Sequence, residues 1–536
     1  MRPRGENYTR GRPPRPSVGA GVLLLGPSPM SSPMNSHGAA GTVRGVAVRA
    51  WVVAACSWAL AGLAGAADLP NIVFMLSDDH SYPYVGCYGD ANVRTPNLDR
   101  LAAGGMKFRR FFTSAPQCVP SRAAYLSGRS PVAARITRFT SPLPRDVITF
   151  PEVLRERAGY YTGVLGRNYH LDGSGGAGGY QGIVEELGLK TFPNRMDVVQ
   201  TGPDADVPAA VGRFLDGRPK DRPFFLWVNF SDPHHPWNAP AAFRPDPASL
   251  TLAPHFPDLP AMREQLADYC AEVNRVDRTA GAVLDALAGQ GLDTSTIVIF
   301  AGDNGQALPH GKGSLYDPGS NVPFLIRWPG VIAGGGDTTA LMSGEDVGPT
   351  LLAAVGLEPD PGMTGVSQIA VLEDPAAEVR HEVFVERGPH GRAPVTVDMA
   401  NSGYDLGRAV RTDRYKLIYN CTPWIPYGPV DSAGGPAWKA IVAAHGAGTL
   451  APGVASTYFR VPRPVYELYD LQADPSELNN LSGTSEVADV ERDLRRRLAT
   501  KMTADFDYLP LPDLMTVEPG GNNRGRGNGN RRVAAE

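Results

Sequence analysis

The sequence predicts an α/β fold: a large domain with a mostly parallel mixed sheet flanked by helices, plus a smaller C-terminal α+β domain with an antiparallel sheet. Three observations favour this fold. Buried-strand patterns alternate with helical patterns up to about residue 374, which is typical of a largely parallel sheet. Short strand patterns then follow one another closely. The length of 536 residues exceeds one ordinary core and indicates about two or three domains.

Hydrophobic runs and helix-start signals define the elements of the large domain. The continuous apolar run 71–76 predicts a buried strand. Thr95 and Pro96, followed by Gly104, predict a helix with an N-cap, a first-turn proline and a glycine stop. Comparable patterns predict strands at 161–165, 223–230, 296–301 and 322–327, and helices that begin near Thr149, run from about Met262 to Ala288 and cover 346–355.

The smaller domain and the two chain ends follow from composition. Residues 1–45 are rich in Arg, Pro, Gly and Ser, and the tail from Glu518 has a similar polar, glycine-rich character, which is typical of disordered ends. The predicted division is a leader at 1–66, a large domain at 67–375, a smaller domain at 376–510 and a disordered tail at 511–536. Strands of the smaller domain are predicted at 382–386, 408–411, 415–419 and 465–468, with a helix at 487–501.

A signal peptide is predicted within the leader. Arg44 and Arg49 precede the apolar run 50–63, and Ala64-Gly65-Ala66 provides a small-residue cleavage site. The run is short for a membrane span, so we expect an exported protein, periplasmic or extracellular, with no integral membrane span in the mature chain. The alternative is a lipoprotein attached through Cys56.

Charge and cysteine content exclude several classes of protein. The formal net charge is -4, and the basic residues form no single stripe outside the termini, so no nucleic-acid partner is expected. The five cysteines include no CxxC pair and no zinc-like spacing. We therefore expect at most one disulfide and at least one cysteine with another purpose.

Polar side chains collect where four of the predicted strands end. They are Asp78 and Asp79 with His80, Arg167 with His170, His234 with His235, and Asp303 with Asn304. In an open α/β sheet, sites form outside the carboxyl ends of the strands, so the four segments predict one site. Three crowded carboxylates repel one another unless a cation lies between them, and an all-oxygen ligand set favours Ca²⁺ or Mg²⁺. The predicted metal ligands are Asp78, Asp79, Asp303 and Asn304.

A twelve-residue motif carries the resemblance to a known family. The run Cys118-Val-Pro-Ser-Arg122, continued by Leu126-Ser127-Gly128-Arg129, matches the pattern C-x-P-S-R-x-x-x-L-[ST]-G-R. It resembles the signature of the formylglycine-dependent sulfatases of the alkaline phosphatase superfamily. The resemblance covers roughly residues 68–510. Its further segments are 71–79, Thr95-Pro-Asn-Leu98, Pro233-His234, Asp303-Asn304-Gly305, Gly311-Lys312, 322–330, 467–471 and 474–477.

The resemblance implies a mechanism and a role for each residue. The motif cysteine, Cys118, is oxidised to formylglycine, whose hydrated aldehyde attacks sulfur and later releases sulfate. Calcium, held by the predicted ligands together with modified Cys118, activates this nucleophile. Arg122 and Lys312 resemble the family's sulfate-binding cations, and His234 and Lys312 are candidates for protonating the leaving alcohol. His170 resembles the base that triggers breakdown of the intermediate, and His235 is a candidate for orienting substrate.

One segment departs from the family pattern. The family commonly has Gly-Lys-Trp-His where this chain has Gly166-Arg167-Asn-Tyr-His170, with Arg in place of Lys and one additional residue. Arg167 can still bind a sulfate oxygen, but it does not lose its proton readily and so cannot act as an acid. Arg167 is therefore predicted to bind substrate. His80 and His310 are left without an assigned role.

The resemblance also suggests a substrate and partners. Export and a sulfatase core favour a sulfated carbohydrate, and the segments 274–277 and 408–416 resemble the heparan N-sulfatase branch. O-sulfate esters are favoured over N-sulfates, and His390, Arg392 and Arg408 are candidate sugar contacts. A formylglycine-generating enzyme or an anaerobic sulfatase-maturating enzyme is the expected biogenesis partner. The alternatives are an N-sulfoglucosamine sulfohydrolase, a phosphonate or phosphate ester hydrolase, and a non-catalytic binder of sulfated glycans.

Overall fold

The computed structural model of the chain describes residues 69–137, 142–168, 170–172, 181–390 and 404–514. The predicted leader, most of the predicted tail, Cys56 and Arg392 lie outside these residues. The first ten strands are β1 (Asn71–Ser77), β2 (Met106–Phe108), β3 (Phe111–Phe112), β4 (Tyr161–Gly166), β5 (Val198–Thr201), β6 (Phe224–Asn229), β7 (Thr296–Gly302), β8 (Phe324–Arg327), β9 (Gly336–Thr338) and β10 (Met342–Ser343).

The large sheet has eight strands in the order β5-β4-β6-β1-β7-β8-β2-β9. Neighbours from β5 to β7 are parallel, β8 runs antiparallel to both β7 and β2, and β9 pairs in parallel with β2. β3 and β10 form a separate parallel pair. The predicted mixed, mostly parallel sheet is confirmed, and the predicted strand at 322–327 is one of its antiparallel members.

Helices cover both faces of this sheet. Along β1, Ile72, Phe74 and Leu76 face one hydrophobic cluster, and Val73 and Met75 face another, because successive side chains point to opposite faces. With both faces buried, the strand is apolar throughout. The helices of this part of the chain are α1 (Pro96–Ala103), α2 (Cys118–Ser127), α3 (Phe150–Ala158), α4 (Gln181–Glu186), α5 (Val207–Gly217), α6 (Pro260–Gly289), α7 (Asp317–Ser320), α8 (Val347–Ala354) and α9 (Ile369–Glu373).

A second, antiparallel sheet follows in the chain. Its strands are β11 (Glu382–Arg387), β12 (Gly407–Thr412), β13 (Tyr415–Asn420) and β14 (Tyr466–Asp470), in that order across the sheet. The accompanying helices are α10 (Pro436–Gly446), α11 (Pro452–Phe459) and α12 (Ala488–Ala504). Leu494 and Leu498 of α12 pack on Val410 and Leu417 of this sheet. The predicted C-terminal α+β architecture is confirmed.

Several elements were not predicted, for physical reasons. Every residue of α2 is buried, so the helix has no polar face and no amphipathic period. β3 and β10 are two residues long and show no alternation. Among the described residues, Cys87, Cys118, Cys270 and Cys421 are free thiols. No helix of this part of the chain is both long and apolar enough to cross a membrane.

A buried charge cluster joins the second sheet to the segment that follows β7. Lys416 of β13 is fully buried, and its ammonium lies 2.5 Å from Asp317 Oδ1 and 2.8 Å from Glu477 Oε1. It also donates to the carbonyl of Leu315 at 3.1 Å. Asp317 begins α7, so the cluster fixes the chain just after Lys312. The cluster thereby couples the position of the second sheet to that of the segment that follows the large sheet.

Replacing Lys416 with Met should destabilise the protein by about 3–5 kcal/mol, because Glu477 would remain buried without its cation. Chemical denaturation followed by circular dichroism measures this loss. Lys190→Met is the control, since its partner Glu185 is largely solvent-exposed. Equal midpoints for Lys416→Met and wild type would contradict the role of the cluster.

Candidate active site

Acidic residues converge at the carboxyl edge of the large sheet. β1 and β7 are paired so that Ser77 lies opposite Gly302, and the residues that follow each strand therefore leave the same edge. Asp78, Asp79 and Asp303 are all fully buried there. The backbone N–H of Asp79 donates to Asp303 Oδ1 at 2.9 Å. Asp79 has a φ of 65°, a left-handed conformation that is rare for a non-glycine residue and is found at functional sites.

Cys118 lies against these acids. It is the first residue of α2, and its thiol lies 3.3 Å from Asp78 Oδ1 and 3.8 Å from Asp79 Oδ1. Burial raises the pKa of the Cys118 thiol well above its usual value, and the charge of Asp78 raises it further. The unmodified side chain is therefore a protonated thiol and a poor nucleophile.

Arg122 links the acids from the next turn of the same helix. Residues four apart share one helix face, so Arg122 points where Cys118 points. Its guanidinium lies 3.1 Å from Asp78 Oδ2 and 2.9 Å from Asp303 Oδ2. It also donates to Asn229 Oδ1 at 2.8 Å, from the last residue of β6. The motif thus places a buried thiol and a fixed cation on one face of the helix.

The segment that departs from the family pattern still reaches the site. Gly166 ends β4 with a φ of 83°, and a Cβ there would lie 2.0 Å from the carbonyl oxygen of Asn229, so only glycine fits. Arg167 Nε then lies 2.7 Å from Asp78 Oδ2, and Arg167 Nη2 lies 3.1 Å from His170 Nε2. His170 Nδ1 is 3.7 Å from Asp78 Oδ2. Arg167 and His170 therefore both reach Asp78 despite the altered spacing.

Burial and neighbouring charges together set the protonation states of Asp78 and His170. Burial raises the pKa of Asp78, but Arg167 and Arg122 outweigh it and hold that pKa well below its usual range. Burial lowers the pKa of His170 well below its usual value, and the neighbouring Arg167 contributes in the same direction. His170 is thus a neutral imidazole at neutral pH, able to accept a proton.

A second set of bases and cations faces Asp79. Lys312 is buried, and its ammonium lies 2.8 Å from Asp79 Oδ1. Burial lowers the pKa of Lys312, but Asp79 and Cys118 outweigh it, so the pKa is raised and the cation persists. His234 Nε2 lies 3.8 Å from Asp79 Oδ2, and burial lowers the pKa of His234. The imidazole of His235 stacks on that of His234 at 4.9 Å between ring centroids.

The histidine loop after β6 is anchored by an ion pair that the sequence analysis did not predict. The guanidinium of Arg275, on α6, binds both carboxylate oxygens of Asp232, at 2.7 and 2.8 Å. The carbonyl of Asp232 accepts from the N–H of Asp78 at 3.1 Å. Arg275 therefore fixes the start of the loop that carries His234 relative to the acids.

The carboxylate cluster fits a divalent cation. Ligand atoms of Asp78, Asp79, Cys118 and Asp303 lie within 4.8 Å of one another. Burial and the charge of Asp78 raise the pKa of Asp303 to about 7, a sign of crowded negative charge that a cation relieves. Asn304 Oδ1 accepts no hydrogen bond from any described residue. Such hard oxygen ligands suit Ca²⁺ or Mg²⁺ better than zinc.

Three residues considered from sequence lie outside the cluster. His80 is fully buried between Ser77 Oγ and the carbonyl of Tyr84, and His310 stacks on Tyr316. The suggestion that Arg408 contacts the sugar is wrong. Its guanidinium is buried, binds Asp507 through two hydrogen bonds and donates to the backbone of β11 and β12.

Other residues near the acids were missed by sequence reasoning. Asn229 is the next-to-last residue of the predicted strand 223–230, and Gln117 directly precedes the motif, so the position of each was a signal that was not used. Asp431 lies in an irregular segment of the C-terminal region and offered none. His390, predicted to contact the sugar, lies beside Asp431.

Comparison with known proteins identifies the family. A model of the sulfatase family matches residues 70–357 of the chain. The chain belongs to the sulfatase family. A second model, for the C-terminal region of N-sulphoglucosamine sulphohydrolase, matches residues 309–424 of this sulfatase. As a member of this family, the protein is a sulfuric ester hydrolase.

Characterised relatives match this sulfatase over most of its length. Human N-sulphoglucosamine sulphohydrolase is 29% identical over 491 residues, covering 83% of this chain and 92% of the human one. An ulvan-active sulfatase of Formosa agariphila is 26% identical over 500 residues, covering 83% and 77%. Human arylsulfatase A is 29% identical over 484 residues, covering 79% and 85%.

Solved structures share the fold of this sulfatase. One is a protein in complex with its substrate D-glucosamine-2-N,6-O-disulfate, with a TM-score of 0.61 and 20% identity over 82% of this chain and 99% of that chain. Another is the phosphonate monoester hydrolase of Agrobacterium radiobacter, with a TM-score of 0.60 and 20% identity over 81% and 96%. At these identities the likeness concerns the fold alone.

Asp303→Asn should weaken calcium binding by about 100-fold or more, because it removes a ligand charge, and outer-shell changes alone cost about 10- to 100-fold. Calorimetric titration of calcium into metal-stripped protein measures the affinity. Asp337→Asn is the matched control, since Asp337 pairs with Arg109 at an exposed strand. Unchanged affinity in Asp303→Asn would remove Asp303 from the ligand set.

Proposed function

We propose that this sulfatase hydrolyses O-sulfate esters of a sulfated carbohydrate, using a formylglycine made from Cys118 and a bound calcium ion. The main support for this proposal is the position of the Cys118 thiol, 3.3 Å from Asp78 and 3.8 Å from Asp79. Both carboxylates also pair with buried cations. A residue placed there touches two of the predicted metal ligands, whose carboxylates in turn contact Arg122, Arg167 and Lys312.

The environment of Cys118 supports its conversion. As a thiol it is held protonated by burial and by neighbouring carboxylates, so it cannot attack sulfur efficiently. When formed, the formylglycine supplies a hydrated aldehyde as nucleophile, and a calcium ion supplies charge that stabilises it and the sulfate oxygens. The start of α2 also directs a positive helix end at this position.

The surrounding side chains are suited to binding sulfate and moving protons. Arg122, Arg167 and Lys312 are cations held in place by acids, which suits them to neutralise the sulfate without reorganisation. His170, kept neutral by burial, accepts a proton during breakdown of the intermediate. Lys312 and His234 both lie beside Asp79 and are the candidates for protonating the leaving alcohol. Lys312 keeps its proton there, whereas burial lowers the pKa of His234.

The substrate class is supported by the names of relatives. They include ulvan-active sulfatases, an N-acetylglucosamine-6-O-sulfatase of Bacteroides thetaiotaomicron and an N-acetylgalactosamine-6-sulfatase of Canis lupus familiaris. We propose export of the chain, maturation by a formylglycine-generating or anaerobic sulfatase-maturating enzyme, and a domain division near residue 375. A sulfated saccharide is the proposed substrate, with His235 at its side.

An N-sulfoglucosamine sulfohydrolase is the second candidate. It is favoured by the match of residues 309–424 to the C-terminal model named for that activity. Measuring sulfate release from glucosamine 6-O-sulfate and from N-sulfoglucosamine separates the two. Exclusive release from N-sulfoglucosamine would replace O-sulfate with N-sulfate in the proposal and leave the nucleophile unchanged.

Cys118→Ala should lower turnover of an aryl sulfate by about 10³-fold or more while the fold is retained, because the nucleophile is absent. Enzyme made with a maturation partner is required, and peptide mass spectrometry verifies conversion in the wild type. Cys87→Ala, at a free thiol outside the site, is the control.

Two results would contradict this proposal. Retained turnover in Cys118→Ala would remove Cys118 as the nucleophile. Faster hydrolysis of a matched phosphate or phosphonate ester by converted wild type would favour the alternative shared with the phosphonate monoester hydrolases of this fold.

A further inference from the structure

We infer that Asp431 determines sugar specificity by accepting a hydrogen bond from a hydroxyl or amino group beside the scissile sulfate and disfavouring a carboxylate there. This inference rests on the proposed function. It predicts that the sugar carrying the scissile sulfate is a neutral or amino sugar rather than a uronate.

Asp431 reaches the site from the C-terminal region. Its Oδ2 lies 2.8 Å from the ammonium of Lys312. Its carboxylate and ligand atoms of Asp79, His234 and His235 lie within 4.8 Å of one another. Asp79, His234, His235, Lys312 and Asp431 thus form a wall around the proposed sulfate position. Asp431 belongs to this wall although it lies more than a hundred residues away from Lys312 in sequence.

Exposure places Asp431 on the solvent side of that wall. The side chains of Asp79 and Lys312 are 0% and 1% exposed, that of His234 is 14% exposed, and that of Asp431 is 26% exposed. A sulfate that contacts Lys312 enters from the exposed side. The ring substituents next to that sulfate therefore pass the carboxylate of Asp431.

The carboxylate is held in position from two sides. His390 Nε2 lies 3.5 Å from Asp431 Oδ1, and Gln117 Nε2 lies 3.0 Å from His390 Nδ1. Gln117 Oε1 in turn accepts from the N–H of Gly388 at 3.3 Å. Gln117 immediately precedes Cys118, so these contacts connect Asp431 to the start of α2. A pre-positioned acceptor binds its donor with little ordering cost.

The charge of the Asp431 carboxylate determines which substituent beside the sulfate it favours. An ionised carboxylate only accepts hydrogen bonds, so a hydroxyl or ammonium group beside the sulfate is bound and a second carboxylate is repelled. Lys312 lowers the pKa of Asp431, despite the opposing effect of burial, and keeps the carboxylate ionised. Lys312 and His390 offset part of its charge, so the effect is discrimination among substrates and not complete exclusion.

A purely positioning role for Asp431 makes a different prediction. If Asp431 acted only by orienting Lys312, its replacement would slow every sulfate ester by the same factor. If it also contacts the substrate, the loss depends on the group beside the ester. The ratio of kcat/KM values between substrates therefore separates the two roles.

The test compares wild type with Asp431→Asn on four aryl sulfates: the parent ester and esters carrying an aminomethyl, a hydroxyl or a carboxylate group on the adjacent ring carbon. Asparagine tolerates the left-handed backbone at this position, where φ is 65°, so the variant is compatible with the fold. Asp413→Asn, at a carboxylate paired with Arg110 and 57% exposed, is the control.

We expect the aminomethyl-to-carboxylate ratio of kcat/KM to fall about 10- to 100-fold in Asp431→Asn, the range for losing a hydrogen bond to a charged group. The control should leave the ratio unchanged. A uniform loss across the four esters would overturn the inference and leave the proposed function intact. No turnover of any ester by converted wild type would overturn the proposed function and the inference with it.

Discussion

Three fully buried carboxylates at one sheet edge are the constraint on which the rest of the site depends. Burying like charges together costs far more than a protein can tolerate unless cations accompany them. Arg122, Arg167 and Lys312 provide this compensation, each within 3.1 Å of a carboxylate oxygen. The raised pKa of Asp303, about 7, shows that a demand for positive charge remains. A divalent cation would relieve this crowding of negative charge, which is why we propose a metal ion and a bound sulfate at this site.

The topology supplies the cations from distant parts of the chain. β4, β6, β1 and β7 are consecutive in the sheet, and each ends at a segment that carries site residues. α2 adds Cys118 and Arg122 from one helix face. The segments that follow β11 and β13 add His390 and Asp431, and Lys416 holds the C-terminal sheet against the segment after Lys312. Part of the wall therefore comes from the C-terminal region, where residues can set substrate specificity without altering the sulfate-binding groups.

Much of this arrangement could be predicted, because its signals are local. Apolar runs that end in acids or histidines identify strands whose ends form a site, and the motif at Cys118 identifies the family. α2 gave no periodic signal, because it is buried on every side. The position of Asp431 depends on long-range packing of an irregular segment, and the partner of Arg408, Asp507, lies 99 residues further along the chain. Such contacts have no local pattern from which to be predicted.

The most direct measurement is a crystal structure of converted protein grown with calcium and an inert sulfate analogue. We expect a cation bound by oxygens of Asp78, Asp79, Asp303 and Asn304 together with modified Cys118. We also expect the sulfate group in contact with Arg122 and Lys312. A cation bound elsewhere, or a sulfate group that contacts none of these residues, would contradict the proposed site.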